Sequence, residues 1–248
     1  MPFSLKRASP AVRIAKLAER FAVSTETIRR DLDEMSERGL LSRTYGGAAG
    51  PPLALEPSLD DRYRTMVDQR TVVAKAVSEL VDPGDTLMID AGSTTIYVAR
   101  QLAADLRDLT IVTTSFGVAS SLVSNPTIRV LVCPGEYDPR DGGVCGPDTL
   151  DYLRRFHVTK AIIRASRLDA EGASDVVSTS AWIKRVMIEQ AEQVILAVDR
   201  SKFEQRAFES VCTLDSLDYL ATDGQPPPAL ARALAKAGVD VRVGTRTA

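Results

Sequence analysis

The sequence predicts an α/β protein in two parts, a small basic head rich in helix and a larger body built on an open, mostly parallel sheet. Three observations carry this reading. Seven short apolar runs beyond residue 85 are separated mostly by stretches of helical periodicity, the pattern of parallel strands covered by helices on both faces. The stretch 48–57 holds Pro51, Pro52 and Pro57 and little periodicity, so it reads as an extended connector. Charge divides at the same place: residues 1–50 carry nine Lys/Arg and six Asp/Glu, a net of +3, whereas the 248-residue chain as a whole stands at −2. The domains are thus expected at 1–50 and 60–248, with 51–59 as the linker.

In the head, Ile14, Leu17, Ala18 and Phe21 recur at helical spacing, which predicts a helix over 13–20 with one apolar stripe. Ala22 and Val23 form a tight link. Ser24 then suits an N-cap whose hydroxyl takes a free N–H of the next helix. In that second helix Ile28, Leu32 and Met35 face inward and leave Thr25, Glu26, Arg29, Arg30 and Asp33 outward. Two adjacent arginines near a helix N-terminus suit the major groove of DNA, where they hold phosphates or one forks onto guanine O6 and N7. Gly39 supplies the left-handed residue that stops the helix. Leu40 and Leu41 begin a strand, and Arg43 and Tyr45, before Gly46-Gly47, belong on a hairpin tip against the DNA backbone. A charged helix face alone is usually just a solvated one, but the positive balance of the head moves the reading to nucleic acid. The candidate DNA contacts are Ser24, Thr25, Thr27, Arg29, Arg30, Arg43, Tyr45, Gly46 and Gly47.

The body opens with an expected helix over 60–81 and a turn at Asp82-Pro83-Gly84-Asp85. Strands are expected at 86–89, 110–113, 128–132, 161–165, 194–198, 219–221 and 239–243. In such folds ligands gather at the carboxyl ends of the strands. The first strand ends in Asp90, and the chain enters a helix through Gly92-Ser93-Thr94-Thr95. Gly92 permits close approach of backbone, the N–H groups at the helix start point outward, and three hydroxyls add donors, so the loop can cradle a phosphate. A Gly-Ser-Thr-Thr run is a helix cap more often than a ligand site; its place after a core strand favours the ligand. Lys202 follows the strand ending at Asp199, and Lys184 opens the helix before that strand. Each attracts a phosphate unless it is an exposed surface residue, as lysines generally are. Asp90 is suited to accept sugar hydroxyls.

The segments Val23-Ser24 to Asp31-Leu32 and Gly39-Leu40-Leu41 to Gly46-Gly47-Ala48 together resemble the winged helix-turn-helix of the DeoR family of bacterial sugar-operon repressors. Further matches follow in the family's order over nearly the whole chain: Asp90 to Thr95, Ile111-Val112-Thr113, Gly135-Glu136, Arg140 to Gly143 with Gly146, Lys184-Arg185, Met187-Ile188, and Asp199 with Ser201-Lys202-Phe203. The resemblance implies a C-terminal sensor domain similar to ribose-phosphate isomerases, with Asp90, Gly92, Ser93, Thr94, Lys184 and Lys202 lining an effector pocket. Thr95 and the motif residues Thr113, Gly135 and Arg140 complete the candidate effector-binding set. It also implies a further helix ahead of residue 13, for which 1–11, with Pro2 and Pro10, leaves no room; either the start is placed too late, which is the favoured expectation, or the three-helix core is incomplete, leaving Ile14, Phe21 and Leu32 under-covered and DNA binding weakened. Other departures are Thr114 where the family commonly has asparagine, Pro134 for glycine, Arg164 and Arg167 for frequent glycines, and Ser180-Ala181-Trp182 where an acidic residue is frequent. These are expected to alter which sugar fits. Trp182, the sole tryptophan, is expected in the core rather than stacked on a ligand.

Cys133, Cys145 and Cys212 show no CxxC spacing and His157 is the only histidine, so neither a zinc site nor a Cys/His nucleophile pair is expected, and the cysteines read as small buried hydrophobes. No cofactor is implied. No apolar run reaches a bilayer span and residues 1–10 lack the apolar centre of a signal peptide, which predicts a cytoplasmic protein without membrane contact. Two functions remain. One is a repressor released from operator DNA by a phosphorylated sugar. The other is a phosphosugar isomerase or transferase with an appended DNA-binding fragment, using Asp90 or Glu136 as base and Lys202 as electrostatic aid. The repressor is favoured, because the loops show no second carboxylate beside Asp90 and an enzyme has no use for a reading head. One small head spans too few base pairs for useful specificity, so a homo-oligomer, dimer or tetramer, is expected.

Overall fold

Short amphipathic helices gain little from propensity alone and depend on the apolar face they share. In the head that face is Ile14, Leu17 and Ala18 of helix α1 (Ile14–Phe21) against Ile28 and Leu32 of α2 (Thr25–Glu37). The structure is a computed structural model that describes residues 12–21, 23–37, 42–44, 47–49, 59 and 65–245, and the chain divides into two compact units, 1–57 and 58–248. Strand β1 (Val12–Arg13) precedes α1, and β2 (Ser42–Thr44) and β3 (Gly47–Ala49) follow α2. The three strands pair antiparallel in the order β1-β3-β2, the wing expected from the sequence. Arg13 pairs with Gly47 in that sheet, so α1 starts one residue later than its apolar period suggested. Phe21 does not join the apolar stripe and is 62% exposed. It ends α1, and the turn closed by Val23 N–H on the Ala18 carbonyl carries it beyond the contact with α2. Residues 1–11, Gly39, Leu40, Leu41, Tyr45, Gly46 and 50–58 lie outside the described residues, as do the expectations placed on them.

The second unit begins with α3 (Val67–Ser78), shorter than the helix expected over 60–81 and entered through Met66 in a left-handed conformation. Then come β4 (Thr86–Ile89), α4 (Ser93–Asp105), β5 (Thr110–Thr113), α5 (Phe116–Leu122), β6 (Arg129–Val132), β7 (Glu136–Asp138), β8 (Gly143–Cys145) and α6 (Pro147–Leu153). After these follow β9 (Val158–Ile163), β10 (Arg167–Asp169), β11 (Gly172–Asp175), α7 (Ser178–Glu189), β12 (Ala191–Ala197), β13 (Glu209–Cys212), β14 (Tyr219–Thr222), α8 (Pro228–Ala237) and β15 (Asp240–Val243). The seven predicted strands form one parallel sheet in the order β15-β14-β12-β9-β4-β5-β6.

Alternation along each strand divides the core between the two faces. Leu87, Ile89, Ile162 and Ile195 pack with α3, α4 and α5, whereas Met88, Ala161, Ile163 and Leu196 pack with α6, α7 and α8. Each such fully buried aliphatic side chain contributes roughly 1.5–3 kcal/mol over an exposed one. A hairpin of β7 and β8 and a small antiparallel sheet, β10-β11-β13, are added outside this framework.

The strand order decides where a ligand belongs. From β4 the chain builds β5 and β6 on one side, then crosses to β9 on the other side and continues to β12, β14 and β15. The reversal lies between β4 and β9, and the crevice at their carboxyl ends is the topological switch point where open α/β sheets take ligands. At the amino ends the same two strands are held by Lys160 on Asp85 and by the Thr159 hydroxyl on Asp85, 2.9 Å away.

Candidate functional site

On the head, Ile28 and Leu32 turn α2 so that Glu26, Arg29, Arg30 and Asp33 face solvent. Ser24 caps the helix as expected: its Oγ accepts from the Thr27 N–H at 3.0 Å and lies 2.8 Å from the Thr27 hydroxyl. Arg29 lies 3.2 Å from Glu26 one turn back, so one of the two arginines has a carboxylate neighbour on its own helix. Arg43 and Gly47 lie on the paired strands β2 and β3, and Thr25 and Thr27 are exposed on the first turn of α2.

At the switch point the chain leaves β4 at Asp90, whose N–H continues the ladder onto the Ile162 carbonyl, and leaves β9 at Arg164. Both are buried. Lys184 of α7 reaches in between, 3.0 Å from Asp90 Oδ2 and 2.7 Å from Asp175 Oδ2 at the end of β11, and its side chain is 1% exposed. The expected position of Lys184 at a helix start is corrected: α7 begins at Ser178, so Lys184 lies in its interior and points into the cluster. Its ammonium also lies 2.5 Å from the Ser180 hydroxyl. Arg164 extends across the cluster, with Nη2 2.5 Å from Asp141, Nη1 3.6 Å from Asp175, and Nε donating to the Ala91 carbonyl at 2.8 Å.

Three carboxylates thus meet two cations, and they do not share the charge equally. Burial pushes the Asp90 carboxyl above its ordinary value, and Lys184 and Arg164 only partly oppose this. Burial acts on Asp175 in the same direction, but Lys184, Arg164 and the Ser166 hydroxyl, 2.6 Å away, hold it well below the usual carboxylate range. Burial pulls the Lys184 ammonium down, and Asp175 and Asp90 more than restore it. Among the described residues Asp90 Oδ1 has no hydrogen-bond partner, and neither has the Thr114 hydroxyl. Both residues line the same cavity, about 20 Å³, with Asp138, Asp141, Ser180 and Lys184. That space holds about one water.

The other expected effector residues divide. Gly92, with φ of +150°, is the N-cap of α4, and a Cβ there would lie 2.3 Å from Arg164 Nε, so only glycine lets the arginine lie on the loop. Ser93, Thr94 and Thr95 are buried in the first turn, and the Thr95 hydroxyl donates to the Gly92 carbonyl at 3.0 Å. Thr113 is committed to the backbone, donating to the Ile89 carbonyl at 2.7 Å and accepting from the Ser115 N–H at 3.1 Å. Gly135 allows β7 to pass close to Thr149, whose Oγ1 lies 2.1 Å from where a Cβ would stand. Arg140 is largely exposed and pairs with Asp138 at 2.7 Å, and Lys202 lies on a 3-10 turn after Asp199; of the expected effector residues only Asp90 and Lys184 line the cavity.

Asp175, Asp141 and Arg164 join the cluster without having been read as ligand groups. The expectation that no second carboxylate accompanies Asp90 is corrected by Asp175, held on the same ammonium. Trp182 is likewise not in the core: it is 53% exposed on the outer face of α7, with the Arg185 guanidinium 4.6 Å from its ring. Of the cysteines, Cys133 is buried with its thiol pushed up to about 12, while Cys145 and Cys212 are only partly covered. A larger cavity of about 310 Å³ lies on the small antiparallel sheet around Arg206, Phe208 and Asp169, away from the strand ends and without a buried charge cluster.

Family models match both units: a DeoR-like helix-turn-helix domain over residues 7–51 and a DeoR C terminal sensor domain over 65–224. The glycerol-3-phosphate regulon repressor of Escherichia coli (strain K12) is 35% identical over 224 residues, 90% of this chain and 88% of its own length. The transcriptional repressor AccR of Agrobacterium fabrum is 30% identical over 88% of this chain and 86% of its own, and the repressor CsqR of E. coli 28% over 93% and 88%. A D-ribose-5-phosphate isomerase solved with phospho-erythronic acid superposes on 54% of this chain and 52% of its own at 16% identity and a TM-score of 0.40. With the sensor model covering more than half of its residues and relatives above 30% identity spanning about nine-tenths of it, the chain belongs to the DeoR family of transcriptional repressors.

Proposed function

We propose that this protein is a cytoplasmic repressor that holds operator DNA through α2 and the wing and releases it when a phosphorylated sugar or polyol enters the pocket between β4 and β9. The observation that carries the ligand assignment is Asp90: a carboxylate at the switch point, 1% exposed and lining the cavity, with one oxygen paired to Lys184 and the other without a partner among the described residues. A buried acceptor without a donor costs roughly 1–3 kcal/mol, and a ligand hydroxyl removes that cost. The Thr114 hydroxyl supplies a second such contact in the same cavity. The effector acts only through its different affinity for the DNA-competent and released states. Paired heads on two half-sites make a homo-oligomer the working form.

The expected outcome in a gel shift with a promoter fragment is a tenfold or greater loss of operator affinity on adding one member of a panel of sugar and polyol phosphates, glycerol 3-phosphate among them. The same compound raises the thermal stability of the body, by about 2.7 kcal/mol at a hundredfold excess over its Kd, without being turned over. The isomerase reading draws on Asp175 as a second carboxylate, but Lys184 binds both carboxylates at once, and Asp175 also accepts from the Ser166 N–H and hydroxyl. Turnover of any panel member decides for the enzyme.

Thr114→Val separates ligand contact from structural support. It removes a buried hydroxyl without a partner among the described residues, so the free protein is expected to gain up to about 1 kcal/mol while effector affinity falls about fivefold. Equal changes of the same sign in both measurements contradict the assignment.

A further inference from the structure

Arg164 stands at the end of β9 where an apolar strand gives no reason for an arginine, and it is 5% exposed. Its Cδ and Nε lie on Gly92, and its Nε is bonded to Ala91, so the guanidinium covers the loop leading into the N-terminal amides of α4. Neither Lys202, which the sequence suggested as a second cation for the pocket, nor Arg164 lines the cavity, but Arg164 pairs at 2.5 Å with Asp141, which does, so it is the cation uncovered when that carboxylate moves.

Its anionic partners differ in how firmly they are placed. Asp175 ends a strand and is tied to Ser166 and Lys184. Asp141 sits in the turn between β7 and β8, and its side chain, 10% exposed against 2% for Asp175, is the more accessible of the two at the guanidinium. A cavity of about 20 Å³ admits a phosphoryl group only if something moves out. A planar guanidinium binds a phosphoryl oxygen in the same forked geometry as a carboxylate, so a phosphate ester exchanges directly for Asp141 without leaving either cation unpaired.

We propose that Arg164 binds the anionic group of the effector, and that the Asp141 carboxylate occupies that position while the pocket is empty. The assignment rests on the effector reading above and makes Arg164 the residue that distinguishes a phosphorylated ligand from its neutral counterpart. Asp141 then acts as an internal competitor that sets the concentration at which the pocket fills.

The test is isothermal titration of full-length wild type, Asp141→Asn and Arg164→Gln with glycerol 3-phosphate, ribose 5-phosphate, glucose 6-phosphate and inorganic phosphate, with glycerol and ribose as neutral controls. For whichever ester wild type binds, Asp141→Asn is expected to bind about tenfold tighter and Arg164→Gln at least thirtyfold weaker, while neutral controls change in neither. Arg164→Gln that binds the ester as well as or better than wild type overturns the proposal and makes the arginine a plug. Asp141→Asn with unchanged or weaker affinity overturns it also, and this rim variant decides the matter if Arg164→Gln fails to fold. In both cases ester binding by wild type leaves the effector reading standing. Wild type that binds no ester of the panel removes that reading and this proposal together.

Discussion

Replacing Lys184 by methionine is expected to destabilise the body by about 3–5 kcal/mol, because the change keeps the aliphatic bulk but leaves Asp90 and Asp175 as buried carboxylates without their shared ammonium. Arg164 compensates only in part, since it is 3.6 Å from Asp175 and engaged with Asp141 at 2.5 Å. Against the 5–15 kcal/mol typical of a domain, the loss takes roughly a fifth or more of the total. Urea titration followed by far-ultraviolet circular dichroism measures it, with the head and body transitions fitted separately. The companion is the triple variant Asp90→Asn, Asp175→Asn, Lys184→Met. Removing the ammonium together with both carboxylates it pairs leaves the Arg164–Asp141 pair balanced and no carboxylate uncompensated, so this protein is expected to recover part of the lost stability. A single variant within about 0.5 kcal/mol of wild type would falsify the view that the ammonium holds the strand ends together.

Arg30→Ala is expected to weaken operator binding by about 1–3 kcal/mol, a factor of roughly 5 to 150, with relaxed sequence preference if the side chain reads a base. If it holds phosphate instead, affinity falls for all sequences and the slope of log K against log salt drops by about one. Arg29→Ala follows the same pattern. Its exposed pair with Glu26 is worth only about 0.3–0.5 kcal/mol, too little to keep the guanidinium from DNA. Gel-shift affinities equal to wild type for both variants would remove α2 as the reading helix.

The centre of the parallel sheet was legible because its strands are buried on both faces and therefore appear as continuous apolar runs: β4 and β5 fall at 86–89 and 110–113 as the pattern indicates. The small sheet was not, because β11 is Gly-Ala-Ser-Asp, which has neither β-branched residues nor alternation, yet all four residues are buried. Asp175 was missed with it. Lys184 was visible as a motif residue, but its burial depends on carboxylates from β4 and β11, residues 90 and 175, that only the topology brings together. Trp182 is a different case. It shares an outward helix face with Arg185 and Glu189 at i+3 and i+7, a signal the sequence did contain.

Trp182 also has a practical value. As the one indole in 248 residues, set on the exterior of the helix whose inner side carries Lys184 and stacked by Arg185, it is a native optical reporter. Its emission follows the surroundings of the outer side of that helix, so titrations of small molecules into the unlabelled protein report on a segment that lines the pocket.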